Sequence, residues 1–423
     1  MAPRRRPKER GVALLMVVIS VAILAAVAAD FAYSSRVDLE LAVHQRDALR
    51  AEYMARSGLG MARLLLQFQK QLDTTMQNLA STLPGGIGGS INLQLWHMVH
   101  IDCQTLGRFL PDGADAGFGA SKKRSPDPRP GDGLPGIGLG TPLVDYGGFR
   151  GCYGALIEDE EAKLNVNQLD SLLAAGAGGA AVQRLYLLLT DKRFEFVFDR
   201  EDANKVKIPA ADALINIKDW ADSDDLVSVL AVSAAGAQVS AGYADEPGLY
   251  SRYLPRYRPK NASMDSLGEL YFVHGVGDRF MAAFGDRLTV YPDVNAVLNV
   301  NTDDPMVLAL AVRSAADPAK PDGRLSDPVF LDTLVQKISA VRMLSPMGMT
   351  VSDFINVLVQ ADIAVNPQIT SNVQANTFLG DHTKTFRVTA VGEAGTVQRT
   401  VTAVVRITQP QDGLGRLLYW KVD

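Results

Sequence analysis

Two hydrophobic patterns follow one another near the N-terminus. Val12 to Ala29 is an apolar run of eighteen residues without a charge, with Ser20 its one polar side chain. At 1.5 Å per residue it makes about 27 Å of helix, close to the thickness of a bilayer core. Beyond Asp30 the chain turns amphipathic. No proline interrupts it before Pro84, and Gly58 and Gly60 are the only glycines before Gly85. Met54, Gly58, Met61, Leu65, Phe68, Leu72 and Met76 recur at steps of four and three, which predicts one helical face packed on a globular body. The expected element is a single helix over 12–80, with its first half in lipid and its second half against protein. The basic cluster Arg4, Arg5, Arg6, Lys8 and Arg10 precedes the run, so that end stays cytoplasmic and everything after Ala29 lies across the membrane.

The pattern then breaks and changes period. Ser81 to Ser90 (STLPGGIGGS) ends the helix, and from Pro111 to Gly148 glycine and proline make up 16 of 38 residues, a surface loop without regular elements. Phe149 to Ile157 reads as a strand, followed by the acidic turn Glu158-Asp159-Glu160-Glu161. LNVNQLD at Leu164 returns as LNVNTDD at Leu298, each a β-friendly piece with Asn and Asp suited to turns and caps. Helical periods cover Ala181 to Thr190, Pro209 to Trp220 (Pro209 at the first helical position) and Ser266 to Phe284. Asp304 caps a helix from Pro305 to Ala311, and Thr350 with Asp353 forms a capping box before Phe354, Leu358 and Ala361. Thr385 to Val391 and Val397 to Ile407 alternate and β-branch about a turn at Gly392 to Gly395, a hairpin, and Leu417 to Val422 reads as a final strand. The predicted fold is α+β: a long helix and a small antiparallel sheet split by a large, mainly helical insert. The segments are a leader 1–11, the helix 12–80, linker and first strands 81–165, the insert 166–380 and the closing strands 381–423.

Net charge is -5, and removing the basic leader leaves about -9, which argues against nucleic acid as the main partner. Cys103 and Cys152 are the only cysteines. They lie across the membrane, where oxidation is possible, and flank the loop; a disulfide and two separate thiols are both open.

Gly11 between the basic leader and the apolar helix resembles the class III signal of type IV pilins and type II secretion pseudopilins. The resemblance implies prepilin peptidase cleavage after Gly11, with Val12 as the new, usually methylated, N-terminus. Most family members carry Glu five residues into the mature chain; here that place is Met16, and loss of this Glu marks the K-type minor pseudopilin. Further pieces resemble the K type in order: EDEEAKLNVNQL, IKDWADSDD (Ile217 to Asp225), GYADEPGLYSRYLPRYRPKNASMDSLGEL (Gly242 to Leu270), LTVYPDVNAVLNVNTDDP and the closing hairpin with a terminal Tyr-Trp. Leu226 to Ala241 departs from the family as a small apolar-rich insertion.

K-type pseudopilins carry calcium in the helical insert, so the resemblance makes Asp219, Asp222, Asp224, Asp225, Asp245 and Glu246 the metal candidates. Closely spaced carboxylates suit a hard cation that wants six to eight oxygens, although the spacing is not an EF-hand loop. His274 to Arg279 (HGVGDR) resembles the hairpin of helix-hairpin-helix modules and, in an acidic body, reads as a tight turn. Metalloprotease, nucleophile-elbow and dinucleotide motifs are missing, so a non-enzymatic role is expected. The resemblance implies a minor pseudopilin at the tip of the type II secretion pseudopilus, anchored in the inner membrane with a periplasmic body. Its expected partners are other minor pseudopilins, the major pseudopilin and the peptidase, with the secretin or cargo beyond them and no nucleic acid. The alternative is a minor pilin of a DNA-uptake or adhesion pilus.

Overall fold

Helix α1 runs from Arg10 to Thr82, 73 residues or about 110 Å. The computed structural model describes residues 10–82, 94–99, 101–102, 144–145, 150–170, 178–201, 205–233, 236–345, 348–371, 373 and 377–423. The leader before Arg10, His100, Cys103 and nearly all of the Pro/Gly-rich loop lie outside these residues. Among the described residues α1 is the one helix long and apolar enough to cross a membrane. Its N-terminal half is exposed along its length, as a lipid-facing surface would be.

After α1 come the short strands β1 (Ile101–Asp102) and β2 (Val144–Asp145), then β3 (Arg150–Asp159). Cys152, near the start of β3, is buried and disulfide-bonded. At Asp159 the chain leaves for the insert. There follow β4 (Leu164–Asn165), α2 (Gly178–Leu189), α3 (Ala210–Ala221), β5 (Leu226–Ser233), β6 (Gly236–Asp245), α4 (Asp278–Phe284), β7 (Leu288–Thr289) and β8 (Leu298–Asn299). Then come α5 (Pro305–Ala315), α6 (Pro328–Leu344), α7 (Val351–Gln360) and β9 (Leu379–Gly380). The chain returns as β10 (Thr385–Ala394), β11 (Val397–Arg406) and β12 (Arg416–Val422).

The main sheet has the order β1-β3-β10-β11-β12, with β2 also on β3. Its pairings are antiparallel, so β3 and β10 are neighbours although the whole insert separates them. Met54, Ala55, Leu59, Ala62 and Leu66 of α1 pack on Tyr153, Ala155, Ile157, Val388, Ala390, Val401, Ala403 and Val405. Val404, between Ala403 and Val405, turns the other way and joins the core of the insert. The period-2 alternation of a strand thus places β11 between two cores.

The buried stripe on α1 differs from the expected one. Met54 and Gly58 are buried and Met61 and Leu65 half-buried against the sheet as predicted, but the fully buried face runs through Leu59, Ala62, Leu66 and Gln69, and Phe68 is 52% exposed. Gly392 of β10 supplies the reason. A Cβ there would stand 2.0 Å from the Ala51 carbonyl oxygen and 2.3 Å from the Ala55 nitrogen. Backbone meets backbone, so the contact face follows the alanines rather than the larger side chains.

The LNVN repeat has a structural meaning. β4 pairs in parallel with β7, and β8 with β9. In each copy the first Asn accepts from the second: the Asn167 N–H reaches Asn165 Oδ1 at 3.0 Å, and the Asn301 N–H reaches Asn299 Oδ1 at 2.9 Å. The second Asn then grips a distant methionine's backbone from both sides. Asn167 donates to the Met264 carbonyl (3.0 Å) and accepts from its N–H (2.8 Å); Asn301 does the same to Met349 at 2.9 and 2.8 Å.

Asp304 caps α5 and the Thr350–Asp353 box caps α7, as read from the sequence. Three local expectations are corrected. Pro209 is the residue before α3, in extended conformation with ψ 157°, because the helix starts one residue later. Within Ser266 to Phe284 the expected tight turn at His274–Arg279 is present, with Gly275 at φ +83°, but the element before it is a 3-10 turn, Leu267–Phe272, rather than an α-helix, and only α4 after it is α-helical. Residues 226–245, within a segment expected to be mainly helical, form the β5–β6 hairpin.

Candidate metal centre

The last turn of α3 carries Lys218 and Asp219, and Asp222 follows as its C-cap. Carboxylates here face the negative end of the helix dipole, which disfavours them unless a cation is near. The chain then runs out along β5 and back along β6. This return brings Glu246 beside the helix end, where its N–H donates to the Asp225 carbonyl at 3.2 Å. Carboxylate oxygens of Asp219, Asp222 and Glu246 lie within 4.8 Å of one another, and all three residues are buried.

Their partners are few. Asp219 accepts the Ser228 N–H with both oxygens, each at 3.1 Å. Asp222 pairs through Oδ2 with Lys218 Nζ, which also donates to Ser228 Oγ at 2.9 Å. Asp222 Oδ1 and both Glu246 oxygens are buried without a hydrogen-bond partner. Burial, and then the charges of Asp219, Asp222, Asp224 and Asp225, push the Glu246 carboxyl up to about 8. Burial lifts Asp219 to about 6 against the opposing bonds from Ser228. Asp222 is raised by burial and held back by Lys218. With all three carboxyls ionised against the one ammonium, two negative charges are in excess, which one divalent cation would neutralise. Orphaned buried oxygens at a helix C-terminus fit a hard, oxygen-seeking ion.

The other candidates serve elsewhere. Asp224 Oδ1 accepts the Leu226 N–H at 2.8 Å and opens β5; Asp225 Oδ1 accepts from Asn261 Nδ2 at 2.8 Å. The Asp245 side chain is outside what the structure describes. Lys218, Ser228 and Asp170, whose charge adds to the rise of Asp222, are missed by sequence reasoning. The i, i+4 spacing of Lys218 and Asp222 is the signal that could have found the first. Aromatic rings pack at the same end of α3: Trp220 stacks on Phe272 (centroids 6.3 Å apart) and tilts against Tyr250 at 5.5 Å.

A second acidic group joins the sheet to the insert. Asp159 accepts from Thr383 Oγ1 (2.5 Å), Asn299 Nδ2 (2.6 Å) and the Glu161 N–H (2.7 Å). Glu161 accepts from the Lys384 N–H and Thr385 Oγ1, both at 3.2 Å. Glu160 bonds Thr289 of β7 and Arg387 of β10. Burial raises Asp159 to about 6, and burial plus the Asp159 charge raises Glu161 to about 7. Burial also opposes ionisation of Glu160, but Lys163 and Arg387 outweigh it and hold that carboxyl below its usual range.

At the N-terminus, Gly11 and Val12 lie in the first turn of α1 and Met16 is exposed on it. His97 is placed against Asp303, Nε2 to Oδ2 at 3.5 Å, an ion-pairing contact rather than a ligand set.

No protein-family model and no curated protein matches the chain. Among solved structures, it is similar to a chain of the GspK-GspI-GspJ complex from the enterotoxigenic Escherichia coli type 2 secretion system. The sequences are 17% identical and the TM-score is 0.44, over 64% of this chain and 80% of that one.

Proposed function

We propose that the chain is a K-type minor pseudopilin of type II secretion, a non-enzymatic assembly subunit. One observation carries the reading. A single uninterrupted helix is apolar and exposed from Val12 to Ala29 and becomes the packing partner of an antiparallel sheet from Ala51 onward, with a large insert between β3 and β10. Such a helix stores the subunit in the inner membrane and later packs into a fibre, while the body lies in the periplasm. Cleavage after Gly11 leaves Val12 as the N-terminus. Met16 in place of an acidic residue suits the subunit at the tip, which has no earlier neighbour whose amine such a carboxylate would pair with. The partners are sister minor pseudopilins of the I and J types, with the major pseudopilin below and the secretin or cargo above.

Within this reading the insert holds calcium. Asp219, Asp222 and Glu246 would ligate it, and the ion would supply positive charge between carboxylates that otherwise repel. The protein's own part is to fix those oxygens: α3 positions two, and the return of β6 delivers the third.

The processing role is tested by Gly11→Leu. The expected result is an uncleaved chain on immunoblot and loss of secretion in the native host; normal cleavage and export would contradict the role. The metal role is tested by melting the purified chain in calcium and in chelator. Calcium is expected to raise Tm by several degrees, as binding to the native state alone requires; identical melts would remove it.

A further inference from the structure

The β5–β6 hairpin is an unusual element to find on an acidic body. From Leu226 to Ala244 it has no charged residue, and Val229 and Val232 are more than half exposed. A two-stranded ribbon is marginal by itself, so its order depends on what holds it. At the far end the Ala237 N–H donates to Gln183 Oε1 of α2 at 2.5 Å. Ala237, Leu230 and Val239 also pack on the insert core, and the hydrogen bonds described at the base come from the acidic cluster or its neighbours. Asp219 takes the Ser228 N–H with both oxygens, Lys218 donates to Ser228 Oγ, Asp224 takes the Leu226 N–H, and the Glu246 N–H meets the Asp225 carbonyl.

We infer that cation loading at Asp219, Asp222 and Glu246 clamps the base of the β5–β6 hairpin, so that metal occupancy and hairpin order are thermodynamically coupled. The inference rests on the calcium reading above and adds what the ion regulates. Without a cation no bond joins the carboxyls: the one gripping Ser228 sits on α3, while Glu246, whose oxygens have no hydrogen-bond partner, sits at the exit of β6. Separating them opens the hairpin at its root. With a cation the two ends of the ribbon are tied to one ion. Coupling is reciprocal: whatever loosens the hairpin must weaken the ion.

The test uses the full chain in detergent micelles, with calcium binding followed by calorimetry and amide exchange followed by mass spectrometry. Calcium is expected to slow exchange over Ser228–Ala231 and Gln238–Gly242 at least tenfold relative to chelator, with β10 and β11 unchanged. Gln183→Ala, which touches the hairpin at the end away from the cluster, is expected to weaken calcium several-fold. Glu246→Gln is expected to abolish both the heat and the slowing. Heat of binding with unchanged hairpin exchange, or unchanged affinity in Gln183→Ala, overturns the coupling alone. No heat at all overturns the calcium reading and the coupling with it.

Discussion

Asp159 and Glu161 are carboxyls that the folded chain prefers protonated, raised to about 6 and about 7 by burial. Between the unfolded values near 4 and these folded ones, the native state binds more protons than the unfolded state. Their contribution to stability is therefore greatest at low pH, falls as pH rises through that window, and is level above it. Glu161→Gln keeps an acceptor for the Lys384 N–H and Thr385 Oγ1 and removes the titration. It is expected to stabilise the protein by about 1–3 kcal/mol at pH 8 and to be nearly neutral at pH 4.5. Thermal melts at the two pH values check this; an equal effect at both would refute it. Glu160, between them in sequence, is the opposite case: Lys163 and Arg387 keep it charged, and the same substitution there would leave the half-buried Arg387 guanidinium without its carboxylate partner.

At the scale of elements, the decisive contact is α1 on β10. Gly392→Ala places a methyl group into the backbone of α1 at Ala51 and Ala55, and neither backbone can yield without lifting the helix. A loss of about 3 kcal/mol is expected by denaturant unfolding; a loss under ~0.5 kcal/mol would mean the helix does not lie this close. The same contact explains what periodicity could and could not show. Helix starts at Asp304 and Thr350 and the closing hairpin were legible, since capping and alternation are local signals. The packing face of α1 was legible at Met54, Gly58, Met61 and Leu65 but not at its most buried positions, because which residues come closest depends on a glycine far along the chain. The β5–β6 ribbon was hidden among helical neighbours, although its short β-branched alternation (VSVLAV) was there to be read. In the acidic cluster, Asp219 and Asp222 stand out by sequence proximity. Separating Glu246 from Asp224 and Asp225 required knowing that the ribbon folds back.

Among the described residues the molecule has two cores, one under α1 and one inside the insert, touching at Val404. The core of the insert makes the excursion from β3 to β10 a folded body; the acidic staple at 159–161 ties it to the sheet, and the Asn167 and Asn301 grips fasten distant segments within it. The paired LNVN phrases suggested repeated turn chemistry, and that is what they are, but their distant methionine partners carry no sequence signal. Trp220 gives this architecture a practical consequence. It is 6% exposed and adjoins Asp219, whereas Trp420 is 41% exposed on the edge strand β12. The indole, one residue from Asp219 in the last turn of α3, is therefore an intrinsic optical gauge of that helix end. Calcium is expected to change the short-wavelength part of the protein's fluorescence, and Trp220→Phe to silence that response while leaving the calorimetric binding heat intact.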